Sequence, residues 1–150
     1  RLRCCLFMRL TKFSEYAFRI LIHLASQKEA RVSVEVLARR YDISKYHVRT
    51  IVHTLGKEDY IQCVQGKGGG VLLKAKPEEI NLAQLLVCTE NDFYLAECFS
   101  GDKSCTIDAV CELRSVLEQA LVSFLSVLNQ YTLADIIKNK DEIWQKLEFY

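Results

Sequence analysis

A mainly α-helical fold with one small β-hairpin is what these 150 residues predict. Three observations point to it. Apolar residues recur at helical spacing through residues 11–57 and again through 112–131. A glycine-rich turn, Gly66-Lys67-Gly68-Gly69-Gly70, lies between two short apolar runs. The single proline, Pro77, closes that hairpin unit. With 50% hydrophobic and 26% charged residues, the composition excludes a disordered or low-complexity chain. Apolar runs such as Ile20-Leu21-Ile22 and Val71-Leu72-Leu73 fall far short of the roughly 20 residues of a membrane span. No basic stretch leads into an apolar secretory core, so a soluble, cytoplasmic protein is expected, with no membrane partner.

Residues 1–7 lack periodicity and precede the only methionine, Met8, so they read as an upstream extension or a cloning scar that carries an incidental Cys4-Cys5 pair. Phe13, Ala17, Ile20, Leu21 and Leu24 then mark a first helix from Thr11 to about Gln27. Ser33 is a good N-cap for a second, with Val34, Leu37, Ala38 and Tyr41 on one face. After a short turn at Asp42-Ile43, Ser44 caps a third, whose buried stripe is Val48, Ile51, Val52 and Leu55. Strands at 60–65 and 71–74 flank the glycine turn, where positive φ is needed. Two helices around a tight turn, followed by a hairpin, make a winged helix-turn-helix over residues 8–77.

Residues 78–150 form the second part, made of a loop and dimerisation helices. Asn81 caps a short helix from Leu82 to about Thr89, and residues 91–111 read as irregular. From Glu112 to Tyr131, Leu113, Leu117, Ala120, Phe124, Val127 and Tyr131 step as a heptad seam. Leu121, Leu125 and Leu128 add a second apolar ridge, so this long helix needs cover from another chain and predicts a homodimer. Thr132 with Asp135 forms a capping box that opens a further helix, and 141–149 ends the chain.

The net charge of +1 conceals a split. Residues 1–76 hold fifteen Lys/Arg against six Asp/Glu (+9), and residues 77–150 hold five against thirteen (−8). Such a basic first half suits a polyanion, here double-stranded DNA. On the third helix, Tyr46, Arg49, Thr50, His53 and Lys57 oppose the buried stripe at the spacing that lines a DNA groove. Ser44 and Lys45 stand at its N-terminus, where a phosphate is favoured. Gly66 and Lys67 let the wing approach the backbone or minor groove. No nucleotide-binding glycine motif, H-E-x-x-H or G-x-S-x-G is present, so an enzyme is not expected.

Cys98, Cys105 and Cys111 are spaced by six and five residues on the irregular loop, without the close pairs of most zinc sites. Three spaced thiolates suit an iron–sulfur cluster whose fourth position is not Cys. Zinc, a thiol–disulfide switch and a structural role remain open on spacing alone. Cys63 in the wing and Cys88 in a helix read as small buried hydrophobes.

These features converge on a resemblance. Residues 8–17 (Met8-Arg9-Leu10-Thr11-Lys12-Phe13-Ser14-Glu15-Tyr16-Ala17), the glycine turn with Pro77, the three cysteines, and Tyr131-Thr132-Leu133-Ala134-Asp135 together resemble the winged-helix iron–sulfur regulators. The last segment, and Arg114 rather than a histidine shortly after Cys111, are similar to the nitric-oxide-sensing, NsrR-like branch rather than the IscR-like branch. The resemblance implies a homodimeric repressor that binds a DNA operator. Its three cysteines would hold a [4Fe–4S] or [2Fe–2S] cluster near the dimer interface, completed by an acidic residue in the first helix of the other subunit. Glu15 matches that position, with Glu in place of the more familiar Asp. A carboxylate is a weaker iron ligand than thiolate, and nitric oxide would react at the iron it leaves open and so release the DNA. The chain departs from the pattern at Gln65, where the wing usually carries Arg, a change that should flatten the salt dependence of binding. The interval from Cys98 to Cys105 is also on the long side. Alternatives are a sensor of iron or cluster supply in the same family, a thiol-redox switch, or a zinc-stabilised interaction module.

Overall fold

The computed structural model describes residues 9–28, 31–101, 106–107 and 110–148. Residues 1–7 and Cys105 lie outside them. Helix α1 spans Lys12–Ser26, α2 Val34–Tyr41 and α3 Lys45–Lys57. Each starts where a hydroxyl can accept an otherwise unpaired first-turn N–H. Thr11 Oγ1 accepts from Ser14 N at 3.2 Å, Ser33 Oγ from Val36 N at 3.2 Å, and Ser44 Oγ from His47 N at 3.1 Å. Asp42, at φ 50°, ends α2 in the left-handed region that Asp tolerates, which makes the turn into α3 short.

Strands β1 (Ile61–Val64) and β2 (Gly70–Leu73) pair antiparallel, with Ile61 opposite Leu73 and Val64 opposite Gly70. Strand β1 is one residue shorter at each end than the sequence suggests, and β2 keeps four residues but starts one earlier, at Gly70. Gly66 and Gly68 stand at φ 92° and 76°, and a Cβ on Gly70 would lie 2.8 Å from the Val32 carbonyl oxygen. That close approach lets Val32 and Val71 exchange backbone hydrogen bonds at 2.9 and 2.7 Å, which fastens the hairpin to the segment before α2.

After a 3₁₀ turn at Pro77–Glu79, α4 (Leu82–Thr89) is capped by Asn81, whose Oδ1 accepts from Ala83 N and Gln84 N. A second 3₁₀ turn, Glu97–Phe99, lies in the following loop. Helix α5 is Leu113–Leu128, α6 Leu133–Ile136 and α7 Lys140–Glu148. The capping box that opens α6 is formed: Thr132 N and Oγ1 both donate to Asp135 Oδ2, at 2.9 and 3.0 Å. The chain leaving α5 returns to the start of α4, where Leu82 N donates to Tyr131 O and Leu133 N to Ile80 O at 3.0 and 2.8 Å.

One core therefore collects Ala17, Ile20 and Leu21 of α1, Leu37 of α2, Val48, Ile51 and Leu55 of α3, and Ile80, Leu85, Leu133 and Ile137 from beyond Pro77. Helix α5 is the exception. None of its residues is buried, and Leu113, Val116, Val122 and Val127 are each more than half exposed.

Buried polar groups tie α1, α2 and α7 together. His23 is 1% exposed, with its ring edge-on to Tyr41 and Trp144. The Tyr41 hydroxyl donates to Arg19 O at 3.0 Å, so it accepts from His23 Nδ1 at 3.3 Å. Nε2 then carries the lone pair and faces Arg40 Nη1 at 3.5 Å. Desolvation, with the Arg40 charge, lowers the His23 pKa to about 4, and burial raises that of Tyr41 to about 12.

Candidate functional site

Helix α3 turns Val48, Ile51, Val52 and Leu55 into the core, which leaves its other face to solvent. Tyr46, Arg49, Thr50, His53 and Lys57 are all exposed on that face, as the periodicity predicts. His47 is set apart from them. Its ring lies 6.2 Å from Phe13 and 5.9 Å edge-on from Tyr16, which anchors the start of α3 to α1.

Several of these polar groups are already engaged. Ser44 Oγ accepts the His47 amide, and Thr50 Oγ1 donates to Tyr46 O at 3.0 Å. Lys45 Nζ lies 3.4 Å from Glu35 Oε1. The Glu35 carboxyl is held below its ordinary range, first by its own backbone amide and then by Lys45. Both side chains of that pair are more than half exposed, so the pairing is weak and readily exchanged for a phosphate.

The wing faces the same side. Arg49, Ser33, Glu35, Cys63, Gly66 and Gly70 line a cleft of about 260 Å³ between α3 and the hairpin. His53, Lys57, Gln62, Cys63 and Lys74 line a neighbouring one of about 460 Å³. Gly66 and Lys67 are exposed at the turn. The chain thus brings Arg49 beside Gly66 and places Lys67 on the adjoining tip.

Two features of this face escape sequence reasoning. Arg31 Nη1 donates to Gly68 O at 3.1 Å and braces the turn from 37 residues away, a long-range contact with no local signal. Cys63 is exposed rather than buried as its apolar neighbours suggest. By alternation Cys63 shares a face of β1 with Ile61, but the core covers that face only at Ile61 and leaves Cys63 open to the clefts beside α3. Cys88 does behave as a half-buried hydrophobe: its Sγ donates to Leu85 O at 3.1 Å, and burial raises its pKa to about 11.

The cysteine loop runs from the end of α4 to the start of α5. Cys98 lies in the Glu97–Phe99 turn and Cys111 two residues before Leu113. Both are free, half-buried thiols. The Arg114 guanidinium stands 6.0 Å from the Phe99 ring and so holds the Glu97–Phe99 turn near the start of α5, while its Nε donates to Glu118 at 2.9 Å. Soft thiol donors suit an iron–sulfur group or zinc. Among the described residues no three ligating side chains converge. The sequence-predicted partner Cys105 lies outside those residues.

Glu15 sits in the first turn of α1, half-exposed, and pairs with Lys12 at 2.9 Å and with Arg19. The hydrogen bond from Lys12, helped by the Arg19 charge, lowers its pKa, so it is an anion at neutral pH. An anionic carboxylate is the form a metal ligand needs.

Residues 10–139 match the Rrf2 family model, described as iron-dependent transcriptional regulator. The chain is 40% identical over 143 residues to a protein of Bacillus subtilis strain 168 named HTH-type transcriptional regulator NsrR, spanning 94% of this chain and 98% of that one. An identically named protein of Bacillus licheniformis is 42% identical over 138 residues, 91% of this chain and 96% of its own. Among solved structures, T. potens IscR superposes with a TM-score of 0.70 at 22% identity, covering 91% of both chains. The oxidised form of Staphylococcus aureus CymR gives 0.67 at 18% identity, over 87% of this chain and 97% of that one. These two likenesses establish the winged-helix fold. Sequence family and fold agree with the exposed α3 face and its wing: the chain belongs to the Rrf2 family and is a helix-turn-helix transcriptional regulator rather than an enzyme.

Proposed function

We propose that the protein is a homodimeric repressor whose grip on double-stranded DNA depends on an iron–sulfur cluster and is released by nitric oxide. The observation that carries this reading is the placement of Cys98 and Cys111, two free thiols in the one loop that joins α4 to α5. Its support is the family match and the 40% identity to a regulator named NsrR. Cys98, Cys105 and Cys111 would hold the cluster, with Glu15 of a second copy as the fourth ligand. When bound, the group supplies iron open to nitric oxide.

The remaining work belongs to the chain itself. Arg49, with Tyr46, Thr50, His53 and Lys57, enters the major groove. Ser44, Lys45, Gly66 and Lys67 take the backbone and fix register, since phosphate contacts position and base contacts specify. The exposed apolar face of α5 packs on its counterpart and sets the distance between the two α3 helices. Half-sites about 34–36 Å apart tolerate little change in that distance, so a shift in the loop before α5 weakens binding. The molecule is placed in the cytoplasm by its target. No helix among the described residues is long and apolar enough to cross a membrane.

Anaerobically purified protein tests this reading. It should be brown, retard an operator fragment, and lose both colour and DNA on exposure to nitric oxide. A colourless protein with stoichiometric zinc would favour the interaction module instead. Arg49→Ala should weaken the specific site by roughly 1–3 kcal/mol while non-specific binding changes little, measured by titration against operator and scrambled duplexes.

A further inference from the structure

Glu90 is the C-cap residue of α4 and the first residue of the segment leading to Cys98. Its half-exposed carboxylate reaches back to the start of α1. Oε1 accepts from the backbone N–H of Thr11 at 2.9 Å and from the Thr11 hydroxyl at 3.1 Å, across 79 residues of sequence. Thr11 is the N-cap of α1, where the helix dipole favours a negative charge and the first N–H groups lack helical partners. Beyond Thr11, the first turns of α1 carry Glu15, then Phe13 and Tyr16, the two rings against His47 of α3. A side-chain path therefore runs from the start of the cysteine loop, through the α1 cap, to the start of the reading helix.

An open cleft adjoins this contact. Thr11, Glu90, Phe93, Leu95, Leu121 and Phe124 border a cleft of about 230 Å³ between the loop, α1 and α5. Packing does not hold the segment along the side that faces the cleft, so the two-hydrogen-bond clasp at its edge is what couples it to α1.

We propose that Glu90 is a positioning residue, a latch that transmits the state of the cysteine loop to the DNA-reading half through the N-cap of α1. It touches neither DNA nor metal. The idea rests on the cluster-dependent reading above, which supplies the two loop states. Without the latch, loop and α3 each keep their structure but no longer report to one another.

Two measurements test it. Parent, Glu90→Ala and Thr11→Ser proteins are titrated, cluster-loaded and metal-free, against a duplex that the loaded parent selects from a random library. Hydrogen–deuterium exchange at the Thr11 amide is then followed in the metal-free proteins. Coupling of ordinary size gives the parent a loaded-to-free affinity ratio of roughly 5–150. Glu90→Ala, which removes the acceptor oxygen, should load the cluster with an unchanged absorption spectrum, yet bring that ratio to within about twofold of unity and speed Thr11 exchange. Thr11→Ser keeps both donors and should behave as the parent in each measurement. Glu90→Ala that retains the parent ratio, retains slow Thr11 exchange, or takes up no cluster overturns the latch. Equal binding by both forms of the parent would instead overturn the cluster-dependent reading, while the exchange data would still judge the Glu90–Thr11 clasp.

Discussion

Serine in place of Cys98 or Cys111 should give a folded, colourless protein whose promoter occupancy no longer responds to nitric oxide. The exchange removes a soft, ionisable donor and leaves a hydroxyl that stays protonated at neutral pH and binds iron poorly. Neither thiol belongs to the core, and both sit in the loop before α5, so the fold should lose no more than about 0.5 kcal/mol. Circular dichroism and melting temperature test the second half of that statement, and anaerobic absorption tests the first. Single variants that keep the parent's full colour would remove these residues from the ligand set.

Acid should cost the fold about 3 kcal/mol through His23 alone. The folded state holds this imidazole neutral, with its pKa lowered from 6.5 to about 4 by desolvation and by the Arg40 charge. Once unfolded, the ring protonates near its ordinary value. The unfolded chain therefore binds the extra proton first: the contribution is complete above about pH 6.5 and drains away as the pH falls towards 4. Protonation would put a second cation at Nε2, 3.5 Å from Arg40 Nη1, with Tyr41 already committed to Arg19 O. The carboxylates of Glu15, Glu35 and Asp135, whose pKa values are lowered by their partners, lose stability in the same direction at lower pH. Urea titrations of parent and His23→Phe at pH 7, 5.5 and 4 separate the two sources. The variant should show a distinctly shallower loss, and parallel curves would exclude His23 as the acid-sensitive group.

The DNA-reading elements were legible because their signals are local. Thr11, Ser33, Ser44 and Asn81 each begin the helix that the sequence predicts, since a cap needs only a hydroxyl or amide two or three residues before an apolar stripe. The exposed face of α3 follows from the same period that buries Val48, Ile51, Val52 and Leu55. Cys63 misled because alternation tells which residues share a face of a strand and says nothing about whether a layer covers it. Arg31 against Gly68 O and Glu90 against Thr11 were invisible, for each joins elements whose nearness depends on how the helices pack.

Helix starts, the glycine turn, the split of charge between the halves and the family resemblance are written in stretches of a few residues, where backbone sterics, capping and amphipathic period act without help from the rest of the chain. What sits next to what came from packing: α6 and α7 folding back so that Leu133, Ile137 and Trp144 close over α1, His23 sealed among Tyr41, Arg40 and Trp144, and a loop carboxylate placed on the cap of a helix 79 residues earlier. Hydrophobic burial is non-directional, and many pairings would satisfy the same pattern. The choice among them is made when all the elements compete for one core at once.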